Sequence, residues 1–310
     1  MNMFDVRKNT IYYARHGSHA YGTNIATSDE DFRGVAVAPK SHVIGFAHTF
    51  EQQETKGHED SVIFDLRKFM SLAAECNPNI IEVLFVDDSD VLECTEAGRL
   101  LLDHRELFLS KKARFTFSGY ATSQLKRIRT HRSYLLSPPD HKPTREEFGL
   151  SARLQITADM MGAMDKLFEE RAGDINPNVV ELVQKEKQYK SAMDAWNSHE
   201  KWKKERNAAR ADNEAKYGYD TKHALHLVRL LRMCREILTG QGVKVRRQDA
   251  QELLAIRRGE WSYDELISWA EKEDQEMQGI YETSTLPTAP DIEHLNTLCV
   301  QAHELHWSQQ

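Results

Sequence analysis

The segment Gly17–Gly34 (GSHAYGTNIATSDEDFRG) constrains this chain more than any other. Thr10–Ala14 before it (TIYYA) is β-branched and aromatic, as strands are. Phe32–Ala38 (FRGVAVA) at its end alternates and stops at Pro39, so it also reads as a strand. Between them stand a Gly-Ser turn, ten residues, and Asp29-Glu30-Asp31. In extended backbone, residues two apart share a face, so Asp29 and Asp31 place two carboxylates about 7 Å apart on one side. Alone, such a pair repels. It becomes favourable around a divalent cation, and Mg²⁺ is held by one or two carboxylates plus substrate phosphates. Gly17 lets backbone approach a ligand with no Cβ in the way, and Ser18 with nearby amides can donate to phosphate oxygens. Asp-x-Asp alone also fits an ordinary acidic turn; the Gly-Ser turn at this spacing between two strands favours the ligand site.

The remaining text divides in two. Up to about residue 110 the pattern is mixed. Thr49–Thr55 and Ser61–Phe64 flank Lys56-Gly57-His58 and suit a hairpin. Leu66–Glu75 carries apolar residues at helical spacing and stops before Asn77-Pro78. Ile80–Val86 is apolar and short, and periodicity does not assign it. Beyond Lys111 the reading is helix: Phe115–Tyr134, Ala152–Arg171, Pro177–Lys216, Asp220–Thr239 ending at Gly240, Asp249–Arg258 ending at Gly259, Ser262–Met277 opened by a Ser262/Glu265 capping box, and Pro290–His306. The expected class is α+β, a small mixed sheet followed by a mainly helical domain. The expected boundaries are 1–110 and 111–310, with a charged helical insertion over about 185–216. That insertion holds 9 Lys/Arg against 6 Asp/Glu and few branched aliphatics, which suits a solvated helical hairpin.

Composition removes several classes. At 40% hydrophobic and 29% charged residues, the chain can bury cores and is not wholly disordered. No apolar run reaches the roughly 18 residues a membrane helix needs, and Met1–Lys8 does not resemble a signal peptide. Four scattered cysteines argue against a disulfide scaffold and fit a cytoplasmic protein. Fourteen histidines form no zinc-ligand spacing. There is no Walker loop, Gly-x-Ser-x-Gly elbow or Rossmann fingerprint.

Gly17-Ser18, ten residues, then Asp29-x-Asp31 resembles the signature of the DNA polymerase β-type nucleotidyltransferase superfamily. Leu66-Arg67-Lys68-Phe69, Asn77–Glu82 (NPNIIE), Ser118-Gly119-Tyr120 and Tyr219–Ala224 (YDTKHA) are similar to a bacterial and phage branch of predicted nucleotidyltransferases, some linked to RNA repair. The resemblance runs from about Thr10 to Trp307 and is weakest over the charged insertion. It implies a small mixed sheet with flanking helices, then a helical domain. It implies transfer of a nucleoside monophosphate from an NTP to an acceptor hydroxyl with release of pyrophosphate. It also implies three carboxylates holding two Mg²⁺, with Mn²⁺ as an alternative.

Asp29 and Asp31 match the first two carboxylates. The third should lie on a neighbouring strand. Asp60 and Asp65 bracket Ser61–Phe64 and point to opposite faces. Asp65 precedes the helix from Leu66 and also suits a helix N-cap, so Asp60 is preferred. Glu82 reads as structural. Lys222, His226 and Arg229 form one stripe at i, i+4 and i+7, expected to face the nucleotide, with Lys222 the first choice for phosphate. Ser110–Pro139 holds Lys111, Lys112, Arg114, Lys126, Arg127, Arg129 and Arg132 and no acid. In a chain of net charge −7 this is a local basic patch that would suit triphosphate or RNA. It equally suits a surface paired with acidic helices. The expected partners are an NTP and an RNA acceptor. A protein acceptor (AMPylation), or a catalytically silent binding module with this fold, are the competing readings. The oligomeric state is not readable.

Overall fold

The computed structural model describes residues 4–57, 60–152, 156–170, 176–206 and 208–309. His58, Glu59 and Arg171, which figured in the sequence reading, lie outside them. Five strands form one mixed sheet in the order β3-β4-β2-β1-β5: β1 (Thr10–His16), β2 (Asp31–Ala36), β3 (Gln52–Thr55), β4 (Asp60–Asp65) and β5 (Val91–Cys94). β1 is antiparallel to β2 and β5, β2 is parallel to β4, and β3 is antiparallel to β4. The first strand continues two residues past the expected Ala14, because Arg15 and His16 pair with Phe32 and Asp31. The pairing therefore delivers the chain to Gly17 directly beside Asp31. On the sheet, Val6, Tyr13, Phe32, Ala36 and Ile63 cluster, with Tyr13 and Phe32 stacked at 5.6 Å.

The helices are α1 (Gly17–Tyr21), α2 (Lys40–Val43), α3 (Leu66–Ala74), α4 (Pro78–Leu84), α5 (Glu96–Asp103), α6 (Ala113–Leu136), α7 (Ala158–Glu170), α8 (Pro177–Glu205), α9 (Ala208–Tyr217), α10 (Thr221–Leu238), α11 (Ala250–Arg257), α12 (Tyr263–Thr283) and α13 (Ile292–Ser308). Their starts follow local chemistry. Asp65 accepts from the Arg67 and Lys68 amides to cap α3, Asn77 caps α4 with Pro78 in its first turn, and Asp291 caps α13. Ser262 and Glu265 close a full capping box on α12. The unassigned run Ile80–Val86 is mostly helical, because Asn77-Pro78 starts a helix there. The long helix expected over Pro177–Lys216 is two helices, separated at Arg206, whose backbone is extended. α12 runs on to Thr283, past the expected Met277.

The chain divides into two compact units, 1–128 with 221–310, and 129–220. The division falls elsewhere than the expected boundary near 110: the helices from Thr221 onward belong with the sheet. In this unit α13 packs on α3 and α5, and α10 packs on α11 and α12. α3 buries Leu66, Phe69, Met70 and Ala73 on one face, each large side chain contributing about 1.5–3 kcal/mol of transfer free energy. Within 129–220, Tyr134, His199 and Trp202 form a ring cluster. The buried carboxylates Glu186 and Glu214 are matched by Arg145 and Arg206. Among the described residues no helix is long and apolar enough to cross a membrane.

Candidate active site

A small, open cleft in the sheet-bearing unit is lined by Ser18, Thr23, Thr27, Ser28, Asp29, Asp31, Lys222, Leu225, His226 and Arg257. Its acidic wall comes from the β1–β2 connection. After β1 the chain turns at Gly17, with φ +69°, runs through α1, and leaves it at Gly22, also left-handed. It then returns through Ser28 and Asp29 to enter β2 at Asp31. Gly17 is forced twice: its backbone lies in the left-handed region, and a Cβ built there would collide with Asp31 Oδ2. The glycine thus keeps the first turn of α1 against the Asp31 carboxylate. Among the described residues, neither the Asp29 nor the Asp31 carboxylate has an ion-pair or hydrogen-bond partner. Glu30, between them, turns to Arg15 at 3.6 Å instead.

The third acidic position follows from sheet register. Asp60 is the parallel partner of Asp31 across β2 and β4, and register partners on adjacent strands project to the same face. It is exposed and accepts from the Gly57 amide at 3.1 Å. Asp65 lies at the opposite end of β4, opposite Ala36, buried and spent on the α3 cap and Arg67. Of the two sequence alternatives, only Asp60 is therefore next to the Asp29–Asp31 pair. Two carboxylates without partners, a third one strand away and hydroxyls around them form a hard oxygen donor set, which suits Mg²⁺ or Mn²⁺.

The facing wall is α10, with Lys222 and His226 on the cleft. The edge of the His226 ring reaches the cleft, but most of it is packed away. That burial, reinforced by Arg229 and Lys222, pushes its pKa down to about 3, so the imidazole is neutral at physiological pH. Arg229, the third member of the stripe, does not line the cleft and departs from its expected role in nucleotide binding. It is 4% exposed and ion-paired with the fully buried Glu82 at 2.5 Å, and its guanidinium lies 3.8 Å from the centroid of the Tyr21 ring. Tyr21 also donates to Glu82 at 2.5 Å, and His16 Nε2 is 3.5 Å from it. Burial alone would raise the Glu82 pKa, but Arg229 and His16 hold it down at about 2. Burial drives the Tyr21 hydroxyl well above its usual range. The stripe is one face of α10, but seven residues carry it about 10 Å, from the cleft into the core.

Arg257, at the end of α11, was not singled out in the sequence. It lines the cleft, and its Nη1 donates to the Thr23 carbonyl at 3.5 Å. No local motif marks it. The basic stretch 110–139 contributes nothing to the cleft lining. Lys112 pairs with Glu75, Arg114 with Asp274, and Arg132 donates to the Gly218 carbonyl.

An uncharacterized 38.9 kDa protein in the nrdC-mobD intergenic region of Enterobacteria phage T4 is 25% identical over 126 residues, 37% of each chain. The chain thus spans little more than a third of that relative's length. No solved structure matches the chain. Residues 3–136, which carry the whole sheet, the Gly17-Ser18 turn and the three aspartates, match the RNA repair pathway DNA polymerase beta family.

Proposed function

We propose that the chain is a metal-dependent nucleotidyltransferase that moves a nucleoside monophosphate from an NTP to an acceptor hydroxyl, with RNA as the acceptor. The observation that carries this reading is one cleft with two partnerless carboxylates on one wall and Lys222 and Arg257 among the residues of the others. Such a polarity suits a cation–polyphosphate complex and little else. Asp29, Asp31 and Asp60 would hold Mg²⁺, which supplies Lewis-acid stabilisation to the attacking oxygen and to the leaving pyrophosphate. Ser18 donates its hydroxyl to a phosphate oxygen, and Lys222 meets the triphosphate as a point charge. Neutral His226 adds hydrogen bonding without charge. The acceptor oxygen bonds to the α-phosphorus, the bond from that phosphorus to the bridging oxygen breaks, pyrophosphate leaves, and the hydroxyl proton passes to water.

The match to an RNA-repair family favours RNA over a protein hydroxyl. Replacement of Asp29 or Asp31 by Asn tests the reading. Each variant should fold, because both side chains stand without partners, and should lose labelled-NMP transfer to RNA and the Mg²⁺-plus-NTP rise in melting temperature. Transfer at wild-type rates by either variant refutes the assignment.

A further inference from the structure

The connection between β2 and β3, residues 37–51, takes no part in the cleft, yet it is built with care. The Pro39 carbonyl accepts from His42 and Val43, and the Lys40 carbonyl accepts from Ile44 at 2.8 Å. Gly45 sits where a Cβ would collide with the Ser41 carbonyl, so the turn is fixed at its tip. Beneath it four rings follow one another: Phe50 to Phe4 at 5.1 Å, Phe4 to His42 at 5.4 Å, and His42 stacked on His48 at 5.3 Å. On top, Ile44 is 78% and Phe46 101% exposed. The braced turn thus holds a whole phenyl ring in water beside a second exposed apolar side chain.

The surrounding charge narrows what would cover that ring. Residues 37–50 contain Lys40, His42 and His48 and no acid, in a chain of net charge −7. Arg67 is tethered to the same loop through the Val43 carbonyl at 3.4 Å and shares its charge with Asp65 at 3.3 Å, leaving Lys40 as the cation of the loop itself. We propose that this loop docks a single-stranded polynucleotide, with a base stacked on Phe46 and phosphates against Lys40. Unpaired bases stack on exposed aromatic faces whatever their identity, and cations beside the ring neutralise the backbone. A protein partner would be expected to find a broader apolar core than the two side chains Ile44 and Phe46. β2 leads from Asp31 to this loop, so the surface lies on the order of 17 Å from the carboxylates. It would grip a strand away from the reacting end. It goes beyond the transfer reaction and stands without it.

Fluorescence anisotropy of the full chain with a labelled oligouridylate of about twelve nucleotides tests this. Phe46→Ala should raise Kd about tenfold and Phe46→Trp should retain binding. Lys40→Glu should weaken binding and flatten its salt dependence. Because Phe46 is fully exposed, its variant should fold, and its Mg²⁺-plus-NTP melting shift should equal that of the wild type. That shift separates failure of this proposal from failure of the nucleotidyltransferase reading. Three results would each overturn it: no binding by the wild type, equal binding by Phe46→Ala, or equal affinity for duplex and single strand. A sedimentation change caused by Phe46→Ala would assign the loop to self-association instead.

Discussion

Glu82→Gln should destabilise the sheet-bearing unit by about 3 kcal/mol at pH 7. Glu82 is fully buried and accepts from Tyr21 and Arg229. Its pKa falls from 4.5 to about 2; at 1.36 kcal/mol per pH unit this is about 3 kcal/mol in favour of the ionised folded state. Stranding one charge of a buried pair costs about 3–5 kcal/mol, an independent view of the same energy. The sign is set by the direction of the shift. The folded value lies below the unfolded one, so the stabilisation is complete above pH 4.5 and is lost as pH falls towards 2, about half of it near pH 3.3. Urea unfolding followed by circular dichroism should therefore show a gap between wild type and variant that narrows from pH 5 to pH 3.5. The double variant Glu82→Gln/Arg229→Met should recover stability relative to Glu82→Gln alone. It removes the stranded guanidinium and leaves an apolar side chain beside Met233, whose sulfur already lies 3.2 Å from Arg229. A single-variant loss under about 1 kcal/mol, a pH-independent gap, or further destabilisation in the double variant would each refute the view of Arg229 as a core counterion.

Gly17→Ala forces a left-handed alanine, at about 1–2 kcal/mol, and drives a methyl into Asp31; calorimetry should show the lower melting temperature together with a lost Mg²⁺ response. Asp60→Asn should abolish the Mg²⁺ response with little change in stability, while Asp65→Ala should weaken the α3 cap by about 1 kcal/mol and leave that response intact; the reverse pattern in titrations of the two would move the third ligand. With its pKa near 3, His226 stays neutral from pH 5 to 8, so NTP affinity should show no step near pH 6.5 that disappears in His226→Gln. Ser262→Ala removes one half of the α12 capping box and should cost about 1 kcal/mol in urea unfolding.

What was legible in the sequence was what local chemistry fixes. Ser262 with Glu265, Asn77-Pro78 and the Gly17 turn each act through neighbours a few residues away, and they set element ends and the acidic loop within a residue or two. Asp29 and Asp31 were readable because a period of two on extended backbone needs no tertiary knowledge. β5 was not, since Val91–Cys94 is four residues long with two exposed side chains, and becomes a strand only by pairing with β1. The break at Arg206 was hidden because helix propensity runs through it on both sides. Asp60 against Asp65 is a question of parallel register between strands 29 residues apart in the chain, and composition holds no record of register.

Arg229 shows where periodicity ends as a guide to function. Lys222, His226 and Arg229 share a face of α10, and spacing treats them alike. Their environments differ because the helix starts at the cleft and ends in the core. Lys222 is exposed, His226 is half-buried, and Arg229 meets an acid on α4 that is 147 residues away in sequence. That acid also takes the hydroxyl of Tyr21, the last residue of α1, four positions after Gly17. One carboxylate thus joins the helix that carries Ser18 to the helix that carries Lys222 and His226. The residue expected to bind nucleotide instead fixes the distance between the two walls that would. Its replacement should accordingly impair nucleotide binding through displacement of both walls, with a rise in KM alongside the loss of stability, and not through loss of a phosphate contact.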